Sequence, residues 1–245
     1  MARPDRRHGP VERCEHVTRR AEELARVNDR RLCLHRREQT LLRVWTADEA
    51  RAFRAATRDD RLGFGWALLL ARGLRRGELC GLRWEHVDLD GGALRVVETV
   101  VVVDGKAVAS EPKTGAGRRS IPLDTQLVAL LRAHKARQAH ERLAAGPAYE
   151  DGGYLVADES GKPYHPDTVS DWFDRACGKA KVPRIRLHDA CYTAAPLMLA
   201  VGTPVRVVSE MLGHASPTIT LSVYAHVLPG MAEEAGERLS ALLLG

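Results

Sequence analysis

The pattern of apolar and polar residues predicts a mostly helical chain after residue 44. In the segment 45–57, Thr46 stands where a helix N-cap is expected, and Glu49 follows three residues later as its partner in a capping box. The next segment, 62–74, is an apolar helix that Gly73 is expected to end as a C-cap. Further helices are predicted over 124–144, 166–180, 188–201, 204–212, 216–225 and 229–243.

Valine-rich sequence interrupts the helices between residues 93 and 123. It contains an Asp104-Gly105 turn and a second, glycine-rich turn near residues 113–117. These turns separate extended segments, so we predict a small antiparallel sheet of about three strands. Long helices around one small sheet indicate an α+β fold, a mainly helical domain that spans residues 45–245.

The first 44 residues differ from the rest of the chain. Twelve arginines fall within residues 1–43, whereas large apolar residues are few. A short helix is predicted over 16–28, but the segment cannot bury much surface by itself. Two interpretations stay open, a basic arm that touches nucleic acid and a solvated tail.

Charge and cysteine content narrow the class of protein. The formal net charge of +5 and the isoelectric point near 9.1 agree with a nucleic-acid partner without requiring one. No apolar run reaches the length of a membrane span, and the N-terminus lacks an apolar signal core, so we expect a cytoplasmic protein with no membrane partner. The five cysteines are scattered without a C-x-x-C pair, which argues against a disulfide framework or a zinc ribbon.

Candidate chemistry is distributed over five separate stretches of the chain. Each candidate alone has an ordinary structural explanation, such as a surface ion pair, a solvated turn residue or a core tyrosine. Arg75 and Glu78 stand three residues apart in a short helix and therefore share a face. In chain order the candidates are Arg75, Glu78, Lys113, His188, His214 and Tyr224.

The order and the sequences of these stretches resemble the motifs of the tyrosine recombinase (phage integrase) family. The matching strings are RGLRRGEL, PKTGAGRRSIPL, LHDACYT and LGHASPTITLSVYAH, and the trailing HVLPGMAEEAGERL is similar to many actinobacterial integrases. The resemblance covers about residues 45–245, the family's catalytic domain. It implies recombination of double-stranded DNA attachment sites through a 3′-phosphotyrosine intermediate. It also implies a tetramer on two duplexes and no metal or other cofactor, because the bond energy stays in the covalent intermediate.

The resemblance also assigns a role to each candidate. Tyr224 is implied as the nucleophile, and Arg75 as the group that grips the non-bridging phosphate oxygens. Lys113 is implied as the proton donor to the leaving oxygen. His188 and His214 are implied to donate hydrogen bonds or transfer protons. Glu78 is then a supporting residue that orients Arg75 or a neighbour, and three arginines are candidate DNA contacts: Arg76, Arg118 and Arg119.

One part of this chain departs from the family pattern. The family's H-x-x-R box places a second arginine three residues after the histidine, and this chain has Cys191 there. Tyr192 stands where the family usually has histidine, and Pro196 lies within the same predicted helix, where it removes an amide donor. Because a thiol is short, neutral and a weak donor, we expect impaired strand cleavage.

Three hypotheses follow from these observations. The chain is an active or weakly active recombinase, a DNA-binding remnant without strand transfer, or a metalloprotein with His188, Cys191 and His214 as ligands. Family members normally carry a core-binding domain before the catalytic domain, so residues 1–44 are interpreted as a basic arm or a truncated remnant of that domain. The amphipathic C-terminal segment either exchanges between protomers or packs on its own domain.

Overall fold

A computed structural model gives the structure of this protein. It describes residues 43–112 and 117–214, the positions 216, 218 and 220, and the helix at 231–244. Our predictions for residues 1–42, for Lys113 and Tyr224, and for most of the helix at 216–225 lie outside the described residues. By its internal contacts, Val44–Gly245 is a unit separate from the residues before it.

Helices make up most of the described chain, and their bounds lie close to the predicted ones. They are α1 (Ala47–Ala56), α2 (Gly63–Arg72), α3 (Arg76–Cys80), α4 (Thr125–Ala145), α5 (Pro166–Ala180), α6 (Leu187–Ala200), α7 (Val205–Leu212) and α8 (Met231–Leu244). The predicted capping box is present before α1. The Glu49 amide donates to Thr46 Oγ1 at 3.2 Å, and the Thr46 amide donates to Glu49 Oε2 at 2.8 Å.

The strands form two separate antiparallel sheets. They are β1 (Val87–Asp88), β2 (Ala93–Val96), β3 (Thr99–Val103), β4 (Lys106–Ser110) and β5 (Arg119–Pro122). Strands β1, β2 and β5 form a three-stranded sheet in that order, with Leu94 opposite Ile121. Among the described residues, strands β3 and β4 pair only with each other, through the predicted turn at Asp104 and Gly105. The predicted α+β fold is confirmed, although the Val-rich segment supplies strands to two sheets rather than one.

An aromatic cluster forms the centre of the main core. Trp45 stacks on Phe173 of α5 with ring centroids 5.6 Å apart, Phe53 packs against the same ring at a tilt with centroids 5.2 Å apart, and Trp66 of α2 meets it edge to face. The rings of Trp45, Phe53, Trp66 and Phe173 are almost completely buried. This packing joins α1, α2 and α5, so these helices hold the end of α2 and the start of α3 in a defined position.

Two glycines allow close contacts next to the candidate site. Gly73 ends α2 in the left-handed region at φ 64°, as the sequence predicts, and a Cβ there would lie 2.1 Å from the Leu212 side chain of α7. Gly77 of α3 lies against β3, where a Cβ would come within 2.4 Å of Thr99 Oγ1. The chain segment that carries Arg75 is therefore packed between α7 and β3.

A buried histidine in α4 predicts that the protein loses stability in mild acid. Burial lowers the pKa of His134 from 6.5 to about 4, and its Nε2 lies 2.8 Å from the Leu155 carbonyl oxygen. Between these pH values the unfolded chain binds a proton that the folded chain excludes, so the free energy of unfolding falls as the pH falls. Between pH 7 and pH 4.5 we expect His134 to account for a loss of about 2–3 kcal/mol.

Urea unfolding of the unmodified chain and of His134→Gln at both pH values tests this expectation. The variant is less stable at pH 7, because it loses the stacking of the ring on Phe64, but its stability declines less between the two pH values. Equal declines for the two proteins would contradict the assignment of the acid sensitivity to His134.

Candidate active site

Arg75 lies at the N-cap of α3, where its backbone and its side chain are both held by Glu78. The Arg75 amide donates to Glu78 Oε2 at 2.8 Å, and Arg75 Nη1 donates to Glu78 Oε1 at 2.9 Å. The Glu78 side chain is 4% exposed, whereas that of Arg75 is 36% exposed. Glu78 thus fixes one side of the guanidinium and leaves the other accessible.

A second arginine completes a buried network around the same carboxylate. Arg119 of β5 donates from Nη1 to Glu78 Oε1 at 2.8 Å and from Nη2 to Glu78 Oε2 at 3.0 Å, a bidentate pair. Burial opposes ionisation of Glu78, but the hydrogen bonds and positive charges of Arg119 and Arg75 hold its pKa below the ordinary value. Glu78 is therefore a carboxylate at neutral pH and accepts four hydrogen bonds from two arginines.

His214 follows the C-terminal end of α7. The helix ends at Gly213 in the left-handed region, and the His214 amide donates to the Ser209 carbonyl oxygen at 3.0 Å. The His214 Nδ1 lies 2.9 Å from the hydroxyl of the buried Thr220. Burial, and after it the positive charges of Arg75 and Arg119, lower the pKa of His214, so the ring is neutral at pH 7.

His188 lies in the first turn of α6. Burial lowers its pKa, Asp189 opposes this effect, and Arg75 is the first of the neighbouring arginines that add to it. The His188 ring meets the ring of Tyr192, one turn further along α6, edge to face with centroids 5.8 Å apart. The two side chains therefore share one face of α6, and the charge of Arg75 acts to lower the pKa of each.

The positive charge of Arg75 is common to the surroundings of four candidate residues. It acts on His188, Cys191, Tyr192 and His214, although these residues come from two different helices. The structure therefore brings together the three predicted catalytic residues that it describes, Arg75, His188 and His214. The other two, Lys113 and Tyr224, lie outside the described residues.

Cys191, three residues after His188, is a neutral, buried thiol. Only 6% of the residue is exposed, and its Sγ donates to the His188 carbonyl oxygen of its own helix at 2.9 Å. Burial raises the pKa of Cys191 to about 12 despite the opposing charge of Arg75. The thiol consequently carries no charge at pH 7, and its hydrogen bond stays within α6.

Two neighbouring residues singled out in the sequence, Tyr192 and Pro196, leave α6 continuous. The helix runs from Leu187 to Ala200 with Pro196 inside it, so the proline does not end the helix. Tyr192 is half-buried, and burial raises the pKa of its phenol, which is therefore protonated at pH 7. This part of α6 thus contains a phenol and a thiol, both neutral at pH 7.

The three arginines predicted to contact DNA have different surroundings. Arg76 donates to Asp167 Oδ1 at 3.0 Å and to Ser170 Oγ at 3.1 Å, at the start of α5. Arg118 pairs with Glu111 at 2.6 Å and is half exposed. The Arg119 side chain is only 7% exposed and is bound to Glu78, so it does not present the exposed guanidinium that the sequence led us to expect.

Several partners in this site were missed by sequence reasoning. Arg119 Nε donates to the Met211 carbonyl oxygen at 2.7 Å, and Thr220 holds the His214 ring. A backbone carbonyl has no sequence signal, and Thr220 is one of many threonines in ordinary positions. Asp167 was detectable only as an acidic residue in the first turn of a predicted helix, which normally indicates helix stabilisation.

The described residues offer no support for the metalloprotein hypothesis. Within them, no group of three or more histidine, cysteine or acidic side chains is arranged to hold a metal ion. What the described site can do chemically is bind an anion at Arg75 and exchange protons through two neutral imidazoles.

A mainly helical α+β domain with these sequence boxes defines a class of protein, the catalytic domain of a tyrosine recombinase. The model of the phage integrase family matches residues 40–230, and the chain belongs to that family. Within the described residues, no helix has the length and apolar character needed to cross a membrane.

Curated relatives agree with this membership. A tyrosine recombinase XerC-like protein from Caldanaerobacter subterraneus subsp. tengcongensis is 30% identical over 218 residues, which cover 84% of this chain and 56% of the relative. The ICEBs1 integrase of Bacillus subtilis is 27% identical over 218 residues, 88% of this chain and 58% of the relative. The chain thus spans somewhat more than half the length of these two relatives.

Solved structures show the same fold. The Tn1549 transposon integrase in complex with circular intermediate DNA superimposes with a TM-score of 0.65 at 22% identity. The match covers 81% of this chain and 67% of that integrase. The XerA recombinase superimposes with a TM-score of 0.62 at 23% identity over 80% of this chain and 64% of its own.

Proposed function

We propose that this domain binds duplex DNA, holds one phosphodiester against Arg75, and cleaves the strand at a rate far below that of a family member with an intact H-x-x-R box. In the proposed step the Tyr224 phenol oxygen attacks phosphorus and the bond to the 5′ oxygen breaks. The products are a 3′-phosphotyrosine link and a 5′-hydroxyl. Attack by the 5′-hydroxyl of a second strand then reverses the step and completes recombination.

The described residues have charge states that suit this chemistry. The exposed side of Arg75 is a donor for the non-bridging oxygens, where negative charge increases in the transition state. His188 and His214 are neutral at pH 7, because their pKa values are lowered, so either can accept the phenol proton. Lys113 is the proposed donor to the leaving 5′ oxygen, a role carried over from the family.

The neutral, buried thiol of Cys191 beside Arg75 is the observation that carries the proposal of slow cleavage. An arginine in the family position supplies a second cationic fork to the phosphate, whereas this thiol donates to the carbonyl of its own helix. The same observation favours one alternative, a DNA-binding remnant in which strand cleavage is lost altogether.

Capture of a covalent protein–DNA adduct tests the proposal and separates it from the alternative. Because the attachment site is unidentified, the substrate is a pool of nicked duplexes with a randomised central sequence. Adducts are recovered after denaturation. We expect a slow yield of DNA linked to Tyr224 and none with Tyr224→Phe. Specific DNA binding without any adduct would support the remnant.

DNA binding is expected to weaken steeply with salt. Contacts to phosphates release counterions, so the logarithm of the affinity falls linearly with the logarithm of the salt concentration, by about 0.9 per phosphate contact. Replacing Arg76 or Arg118 by alanine should reduce this slope by about one each. Arg51→Ala removes a more exposed arginine from α1, at which no DNA contact is proposed, and serves as the control. A slope that is unchanged in Arg76→Ala and Arg118→Ala would contradict their proposed DNA contacts.

Assembly on DNA is proposed from the family in the same way. Four copies would hold two duplexes and exchange their C-terminal helices. The end of α8 exposes Leu239, Leu242 and Leu243, which supports a contact beyond its own domain. Sedimentation of the chain with and without duplex DNA measures whether four copies assemble.

A further inference from the structure

One buried guanidinium connects the parts of the site that carry Arg75 and His214. All three nitrogens of Arg119 donate hydrogen bonds: two go to Glu78, one to the Met211 carbonyl oxygen, and a longer one, at 3.3 Å, to the Gly117 carbonyl oxygen. We propose that Arg119 is a positioning residue that holds the Arg75 guanidinium and the His214 ring at a fixed separation on either side of the scissile phosphate. The geometry stands by itself, and its meaning for strand cleavage rests on the proposed function.

The connection to Arg75 runs through a shared carboxylate. Glu78 Oε1 accepts from both Arg75 Nη1 and Arg119 Nη1, and Glu78 Oε2 accepts from Arg119 Nη2 and the Arg75 amide. Because both oxygens are occupied twice, Glu78 cannot rotate without breaking bonds on both sides. The buried Arg119 therefore determines, through Glu78, where the exposed Arg75 guanidinium lies.

The connection to His214 runs through the end of α7. The last carbonyl groups of a helix have no partner within it, and Arg119 Nε satisfies that of Met211 at 2.7 Å. A cation at this end is also favoured by the helix dipole. His214 is three residues further along the chain and is tied back to Ser209 of the same helix. Moving the end of α7 relative to β5 would therefore move His214.

Lysine cannot make this set of contacts. Arginine presents its donors in a rigid planar fork, whereas lysine has one ammonium on a flexible stem. Arg119→Lys keeps the charge opposite Glu78 but cannot bind both of its oxygens and Met211 together. Arg118→Lys is the matched control, because Arg118 is the same residue type one position earlier and pairs at the surface with Glu111.

The first measurement does not depend on activity. NMR titration of the full chain follows the ring protons of His214, His188 and His134. In Arg119→Lys we expect the lowered pKa values of His214 and His188 to rise toward 6.5, since burial and the Arg75 charge act on them less. His134 should keep its pKa of about 4, which shows that the core is intact. Arg118→Lys should shift none of the three, and unshifted His214 and His188 in Arg119→Lys would overturn the proposal.

The second measurement concerns strand cleavage in the Cys191→Arg background. Arg119→Lys should slow adduct formation about 10²-fold through misplacement of the donors, with the DNA Kd changed less than twofold. A Kd that rises in step with the loss of rate would mean that Arg119 grips DNA directly, which overturns the positioning role. If the histidine pKa values shift in Arg119→Lys but the Cys191→Arg protein forms no adduct, the positioning role is supported and the proposed cleavage is refuted.

A second variant covers the case in which Arg119→Lys does not fold. Glu78→Asp keeps the charge but shortens the carboxylate, so it separates Arg75 from Arg119 and leaves the bond to Met211 in place. We then expect the pKa of His188 to rise, because Arg75 moves. An unchanged His188 would overturn the proposal.

Discussion

Replacing Cys191 with arginine is expected to raise the rate of covalent adduct formation by about 10²–10³-fold. One preorganised donor to a developing oxyanion is worth about this factor, and a charged arginine at a transferring phosphoryl group can exceed it. The new side chain would begin at a position close enough for the charge of Arg75 to act on it. The present thiol donates to the His188 carbonyl oxygen instead of to the phosphate. The measurement is single-turnover adduct formation on the nicked duplex pool.

The controls for this variant separate charge from size and from helix stability. Cys191→Ala removes the thiol without adding a cation and should leave the slow rate unchanged. Combining Cys191→Arg with Tyr192→His and Pro196→Ala should raise the rate further, because the combination restores the family's second polar group and the missing amide donor of α6. If the unmodified chain already forms adduct as fast as Cys191→Arg, the interpretation of a degraded site is wrong.

Replacing Glu78 with alanine is expected to lower the free energy of unfolding by about 3–5 kcal/mol, the usual cost of removing one partner from a buried ion pair. The cost is large because Arg119 is 7% exposed and would lose both bonds to the carboxylate without access to water. Adduct formation should fall as well, since Arg75 loses its support. Urea unfolding at pH 7 measures the stability.

A surface glutamate provides the matched control for Glu78. Glu210 of α7 accepts a hydrogen bond from Arg206 at 3.1 Å, but the two side chains are 65% and 84% exposed. Glu210→Ala should therefore cost about 0–1 kcal/mol. Comparable losses for Glu78→Ala and Glu210→Ala would mean that the buried network contributes no more than a surface pair.

The local elements of this fold were predictable because their signals lie within a few residues of each other. The helix predicted over 166–180 is observed as Pro166–Ala180, and Thr46, Glu49 and Gly73 cap their helices as predicted. Capping and helical periodicity depend on contacts three or four residues apart, which the sequence contains directly.

The sheets were predicted less completely because strand pairing is not local. The valine-rich segment was interpreted as one sheet, but the strand at Val87–Asp88 lies before it and pairs with β2. The turn at Asp104 and Gly105 correctly indicated the β3–β4 hairpin. No local signal distinguishes a hairpin that pairs only with itself from one that joins a larger sheet.

The sequence by itself determined the family, the helical α+β class and the order of the residues with candidate chemistry. Only the tertiary structure decided what two adjacent arginines do. Arg118 and Arg119 are indistinguishable in the string RR, yet one is half exposed beside Glu111 and the other is buried against Glu78 and Met211. The physical reason is that Arg119 opens β5, where partners 41 and 92 residues away along the chain bind its guanidinium, whereas Arg118 lies just before the strand and pairs with the exposed Glu111.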